Sequence, residues 1–408
     1  MRRQKIITTL FTLVVLLYCL PGMSQSQPAP VPKTGQTKSY GIRDDGALQL
    51  GVAWPNQRFT DNSDGTVTDN LTGLIWLKDA GCIIPKNWND ALTSANGLVS
   101  GSCGLSDGSK AGDWHLPNTK ELASLADYGN PLCSSVGLPF TGISPNDYWV
   151  STTGGEYQWD ARSVNPSYGD VNFDHMFLKN NVWPVRCGQT GSFPAPVPKT
   201  GQTTSTAAGD DGALQLGVAS PNPRFTDNSN GTVTDNLTGL IWLKSTNCFT
   251  SKNWNDALTS ANGLVSGSCG LSDGSKAGDW QLPSMKELIS LIDYGHYPAL
   301  PPGNPFTGID VRLWSYEFWS STTYAGYSGS GFAYTFYGAG EVGYMDKTLT
   351  ASAWPVRGGQ THLPTATPKP TGTPTPTPTP KPTGTTTPTP TPKPTSTPTP
   401  TPTTKAKF

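Results

Sequence analysis

Twice along the chain, short alternating stretches give way to helical spacing. Arg-Phe-Thr-Asp, a polar turn over residues 62–65, Thr-Val-Thr, a second turn and Gly-Leu-Ile-Trp-Leu read as a β-meander, because brief apolar runs are separated by turn residues. Trp88, Ala91, Leu92, Ala95 and Leu98 then fall on one helical face and predict an amphipathic helix over residues 88–98. A second helix is expected from Asn118, with Glu121 placed for a capping box and Leu122, Leu125 and Ala126 on one side. Beyond Tyr128 the chain becomes Gly-rich and aromatic, with short strands ending in Trp-Pro-Val-Arg at Trp183. The same order returns around Trp254, Ser284, Glu287 and Trp354. The expected class is α+β, with two helices and a mixed or antiparallel sheet in each of two modules.

Direct repetition supports this division. Residues 86–114 recur unchanged as 252–280, residues 65–78 as 231–244, and PAPVPKTGQT stands at both 28–37 and 194–203. The chain accordingly divides into a signal (1–24), a Pro/Thr/Gly tether (25–40), a first module (41–189), a linker (190–206), a second module (207–360) and a Thr/Pro-rich tail (361–408). Arg2, Arg3 and Lys5 ahead of an apolar stretch from Ile6 to Leu20 have the form of a cleaved secretory signal. No later stretch is apolar enough to cross a membrane, so the mature chain is expected outside the bacterial cytoplasm without stable membrane insertion. It would be secreted or at the cell surface, with the periplasm as the alternative. The tail cannot bury a core and is expected to be disordered.

Cysteine usage agrees with an oxidising compartment. Of seven cysteines, Cys19 lies in the signal, while Cys82 and Cys103 recur as Cys248 and Cys269. Cys133 and Cys187 are both missing from the second copy. Joint recurrence and joint loss predict three disulfides, Cys82–Cys103, Cys248–Cys269 and Cys133–Cys187.

Charge narrows the partners. The formal net charge is −1, from 28 basic and 29 acidic residues, but three of the bases sit in the signal and five in the tail, where no acid stands. Both modules are therefore acidic, which argues against nucleic acid and other polyanions, whose binding needs clustered Lys and Arg.

The run RFTDNSDGTVTDNLTGLIWLK, the W-x-D-A-L helix, GDWHLPNTKELASL or GDWQLPSMKELISL, YWVSTT or FWSSTT, and WPVR together resemble the Lcl C-terminal domain family. That family takes its name from the terminal domain of a bacterial collagen-like adhesin. The resemblance spans both modules and implies a C-type lectin-like fold, surface exposure, adhesion and, as for the namesake, glycosaminoglycan binding. It implies no enzyme. The collagen region is absent here, and the acidic modules favour a ligand other than a sulfated polysaccharide.

Catalysis fits the residues poorly. His115 becomes Gln281 in the second copy, and His175, His296 and His362 have no counterparts, so no histidine acid–base pair can serve both modules. The turn from Asp61 to Gly65 resembles half of a calcium loop but lacks the alternating ligands and distant Glu of an EF-hand, and a hairpin turn accounts for it equally. Structural calcium is kept as a secondary alternative, and no other cofactor is expected.

Aromatic residues give the candidate site. Five tryptophans recur in both copies and are expected in the core, whereas Trp159 and Trp314 fall in the divergent second halves. With Tyr157, Tyr168, Tyr316, Tyr324, Tyr327, Tyr334 and Tyr337 they form the expected ligand surfaces, since aromatic rings stack on sugars and anchor protein contacts. The expected function is noncatalytic adhesion to an extracellular glycan or glycoprotein. The alternative is a structural or protein-interaction module of an extracellular or envelope assembly without a sugar site.

Overall fold

The computed structural model describes residues 28–131, 137–154, 159–188, 192–309, 317–324, 331–337 and 340–358. The expected signal and Thr/Pro tail lie outside these residues. The first copy runs α1 (Asp45–Leu48), β1 (Phe59–Asp61), β2 (Thr66–Asp69), β3 (Ile75–Leu77), β4 (Ile83–Lys86), α2 (Trp88–Asn96), α3 (Thr119–Ser124), β5 (Tyr148–Thr153), β6 (Asp160–Asn165), β7 (Asp170–His175), β8 (Asn180–Val182) and β9 (Val185–Arg186). The second repeats the order as α4 (Asp211–Leu214), β10 (Phe225–Asp227), β11 (Thr232–Asp235), β12 (Leu240–Leu243), β13 (Phe249–Lys252), α5 (Trp254–Asn262), α6 (Met285–Leu291), β14 (Glu317–Thr323), β15 (Phe332–Tyr337), β16 (Val342–Asp346), β17 (Ala351–Ala353) and β18 (Val356–Gly358). The expected α+β class is present, but each copy has a third, four-residue helix that the apolar spacing did not reveal.

The predicted meander is antiparallel β1-β2-β3, completed by β9, and its copy is β10-β11-β12-β18. The hairpin between β1 and β2 turns at Ser63 and Gly65, both with positive φ. At Gly65 a side chain would also collide with the Gly104 carbonyl, 2.4 Å from an added Cβ. Helix α2 starts at Asn87, whose side chain accepts from the Asp90 amide, and buries Trp88, Ala91, Leu92 and Ala95. Helices α3 and α6 each open with a complete capping box, Asn118 with Glu121 and Ser284 with Glu287.

The shared tryptophans form the core. Trp76, Trp88, Trp114, Trp149 and Trp183 are fully buried, as are their counterparts Trp242, Trp254, Trp280, Trp319 and Trp354. Three in the first copy also tie strands to helices and loops: the indole N–H groups of Trp88, Trp149 and Trp183 donate to the carbonyls of Val150, Lys86 and Leu77, each at 2.8 Å. Burial of a large ring with its polar atom satisfied combines apolar gain with positional specificity. The disulfides Cys82–Cys103 and Cys248–Cys269 are formed. Cys187 is also disulfide-bonded, and its expected partner Cys133 lies outside the described residues.

The two copies share one ten-stranded sheet, β13-β17-β14-β15-β16-β7-β6-β5-β8-β4. Its centre is the antiparallel pair β7–β16, in register at Val171 and Val342. These valines occupy equivalent places in the two copies, so the pairing has the character of a two-fold contact between like units. Two further bonds cross the seam: the Arg162 guanidinium donates to the Gly340 carbonyl at 3.2 Å, and the Tyr334 hydroxyl donates to the Tyr168 carbonyl. Arg162 on β6 and Tyr334 on β15 stand at matching register positions, opposite Phe173 and Tyr344 respectively.

The described residues of the segments expected to be tethers are packed. Val31, Thr34 and Gln36 are buried, as are Val197, Thr200 and Gln202. The first segment, with the start of the first module that follows it, leans on the second copy: the Ala29 amide donates to Leu237, and Arg43 donates to Asn262 and Gly278. The second segment answers on the first copy, where the Ala195 amide donates to Leu71. The copies thus exchange N-terminal arms.

Candidate functional site

The free end of the β6–β7 hairpin carries the most exposed aromatic group among the described residues. Antiparallel pairing sets Asp160 opposite His175, and the Met176 amide donates to the Trp159 carbonyl at 2.9 Å. This geometry brings Trp159 beside the turn that follows β7. Trp159 is 76% exposed and Phe177 is 73% exposed, although large rings are usually withdrawn from water. The Phe177 ring stacks on His175 with centroids 5.3 Å apart and planes 13° from parallel. Asp160 Oδ1 lies 2.5 Å from His175 Nδ1, next to an imidazole whose side chain is 59% exposed. Deeper in the hairpin, Asp174 accepts from Ser163 Oγ at 2.6 Å and Asn180 Nδ2 at 2.8 Å, which holds the two strands and β8 in place beneath the rings.

The arrangement offers flat apolar faces next to the exposed imidazole of His175, while the Met176 and Leu178 amides of the turn are already bonded to the Trp159 and His175 carbonyls. Such a surface can stack on the C–H face of a sugar or a partner side chain while hydrogen-bonding its polar groups. The second copy does not repeat it. The Lys347 amide donates to the Gly331 carbonyl at 2.7 Å, the counterpart of the Met176–Trp159 bond, so Gly331 replaces Trp159 there. Asp346 then replaces His175, and Thr348 replaces Phe177. Lys347 turns inward, its ammonium 3.6 Å from the Trp254 ring centroid and donating to Thr323 Oγ1 at 2.8 Å.

The other expected ligand residues divide three ways. Tyr157, Trp314, Tyr316 and Tyr327 lie outside the described residues. Tyr324 and Tyr334 were expected on a ligand surface, but both are buried and cannot meet a ligand in this arrangement. Tyr334 packs edge-on against Tyr128 with centroids 4.8 Å apart, and against Tyr324 at 5.1 Å, sealing the seam between copies. Tyr168 and Tyr337 are half-buried, and Tyr168 packs on Tyr324 at 5.6 Å. Tyr344, a further aromatic of the divergent region, stacks on Tyr324 at 4.0 Å and is partly exposed. Beneath the seam, burial first and the neighbouring Asp147 second push the Asp170 carboxyl up to about 7, and burial pushes the Tyr128 and Tyr334 phenols well above their ordinary range.

His175 and Phe177 join Trp159 in a group that sequence reasoning only half identified. Phe177 was legible as an aromatic of the divergent region, and His175 as a histidine without counterpart. What the sequence could not supply was the strand pairing that stacks them.

The remaining polar candidates are occupied by structural work. In the β1–β2 turn, Asp61 pairs with Lys78 at 2.7 Å and accepts from the Ser63 amide, while Asp64 accepts from Thr66. Among the described residues no group of three or more His, Cys, Asp or Glu side chains could hold a metal ion. His115 stands 3.3 Å from Glu121, the residue that closes the α3 capping box. Its replacement Gln281 is likewise buried, and burial raises the carboxyl of the equivalent Glu287 to about 7.

Comparison with known proteins returns one family, described as Lcl C-terminal domain, which matches residues 65–186 and 231–357. Both matches begin after the exchanged arms. No curated protein matches the chain.

Proposed function

Because the chain belongs to the Lcl C-terminal domain family, in two tandem copies, we propose that it is a noncatalytic adhesion protein working outside the cytoplasm. The two α+β copies are read as C-type lectin-like units. The ligand is a carbohydrate or glycoprotein bound on the first copy, at Trp159, Phe177 and His175. The observation that carries this reading is the exposure of two large rings beside His175 and Asp160, on a hairpin braced from below. The acidic balance of each copy favours a neutral glycan over a sulfated one. Formed disulfides accord with export.

A glycan array probed with the wild-type chain, followed by titration of the best neutral oligosaccharide, tests the proposal. Trp159→Ala and Phe177→Ala should each weaken binding about tenfold, equivalent to about 1.4 kcal/mol, with unchanged thermal unfolding. Binding unaffected by both changes would overturn it.

A second reading applies to the second copy alone. Burial of Tyr324 and Tyr334 at the seam favours a structural role there, with that copy supporting the first; among its described residues Gly331 and Thr348 stand where the first copy has Trp159 and Phe177.

A further inference from the structure

The exchanged arms carry their own chemistry, independent of any glycan. Gln36 reaches across to the end of β14 in the other copy and mimics a strand partner. Its amide donates to the Thr323 carbonyl at 2.8 Å, and its oxygen accepts from the Thr323 amide at 3.0 Å. Asp45, at the start of α1, accepts from Thr322 Oγ1 of the second copy and from Thr34 Oγ1 of its own arm, both at 2.7 Å. Gly41 lies against Trp254 and Leu258, and Tyr40 packs on the same cluster.

The reciprocal arm uses the same residues, with one bond changed: its Gln amide donates to the strand Thr hydroxyl where Gln36 donates to the carbonyl. Gln202 Oε1 accepts from the Thr153 amide at 3.0 Å and Nε2 donates to Thr153 Oγ1 at 2.6 Å. Asp211 accepts from Thr152 Oγ1 at 2.7 Å and from Thr200 Oγ1 at 2.6 Å. The contacts use side chains of a short segment, and every hydrogen-bonding group on both sides is buried. The paired residues are also the same in both directions: Thr, Gln and Asp on the arm, Thr-Thr on the strand. An arm from either copy therefore presents the groups that either surface reads.

We propose that the Thr-Thr end of β5 and of β14 forms a peptide-recognition groove specific for the arm sequence, filled within the chain by the opposite copy's arm and able to accept the arm of a second chain. The partner is thus a further copy of this protein, recognised by Thr-x-Gln followed by a helix-opening Asp. Recognition by a buried Gln that accepts from the strand Thr amide and donates back to the same residue is selective, because an apolar side chain there strands a buried amide.

The test uses the full chain with a protease site inserted at Asn56, where the backbone is exposed between arm and copy. After cleavage under native conditions the arm should remain bound through gel filtration. A synthetic peptide of residues 31–50 in excess should displace it, and the same peptide with Gln36→Ala and Asp45→Ala should compete at least tenfold less well. Native mass spectrometry of mixed light and heavy-isotope cleaved chains should show light arms on heavy bodies. Loss of the arm on cleavage, or equal competition by the altered peptide, would overturn the proposal. Neither result bears on glycan binding at Trp159.

Discussion

At the scale of single residues, burial decides which charges matter. Asp69 is completely buried, pairs with Arg58 at 3.3 Å, and also accepts from the Leu71 amide and Thr72 Oγ1. Removing one partner of such a pair leaves the other charged and dry, a loss of about 3–5 kcal/mol. Asp69→Ala should therefore lower the urea midpoint strongly. The exposed Lys78–Asp61 pair is shorter, at 2.7 Å, yet Lys78→Ala should leave the midpoint unchanged, because water screens it. An equal response to the two substitutions would show that distance, not burial, governs these pairs. The same logic explains what could be read of the site beforehand. Trp159 was identifiable because it has no counterpart, but nothing local distinguishes a tyrosine that faces solvent from Tyr334, which alternation places on one strand face without saying what covers that face.

At the scale of elements, the copies supply their own controls. Asn118 caps α3, and Ser284 does the same for α6. Asn118→Ala should cost about 1–2 kcal/mol in chemical unfolding, while Asn118→Ser, which borrows the second copy's solution, should be close to neutral. A neutral Asn118→Ala result would mean that packing of Leu122 and Leu125 alone fixes the helix start. Meander, helices and caps were legible because each depends on residues within a few positions of one another. The arms were not. Gln36 meets a partner 287 residues away, and PAPVPKTGQT has the composition of a linker until a distant groove gives its Val, Thr and Gln somewhere to be buried. The short helices α1 and α4 escape a reading by pattern for a related reason, as four residues carry no periodicity.

At the scale of the whole molecule, the arms and seam enclose opposing titratable groups. Burial lowers Lys120 and Lys286 to about 7, against nearby carboxylates that pull the other way. Burial raises Asp45 and Asp211 to about 6, with threonine hydrogen bonds partly offsetting it. The carboxyls hold protons in the folded state that the unfolded chain has released, so stability falls as pH rises from about 4 to 6. The lysines have released protons that the unfolded chain still holds between about 7 and 10, so stability rises over that range. A melting-temperature profile should accordingly pass through a minimum near neutrality. Lys120→Met with Lys286→Met should flatten its alkaline limb, since each tenfold difference in proton affinity between folded and unfolded chain is worth about 1.4 kcal/mol. A double variant that keeps the full alkaline rise would place its origin elsewhere.

The pairing of Val171 with Val342 has a further consequence for the life of the chain. A strand with no neighbour presents a row of open amides and carbonyls, which is a template for aggregation. Joined at β7 and β16, the copies leave only β4 and β13 as the outer strands of the large sheet, and these are short and carry Pro85, Lys86 and Lys252. Each copy is therefore the other's edge protection. A chain cut or translated only as far as the first copy would expose β7 and should be prone to fibril growth, so duplication here acts as a safeguard on solubility.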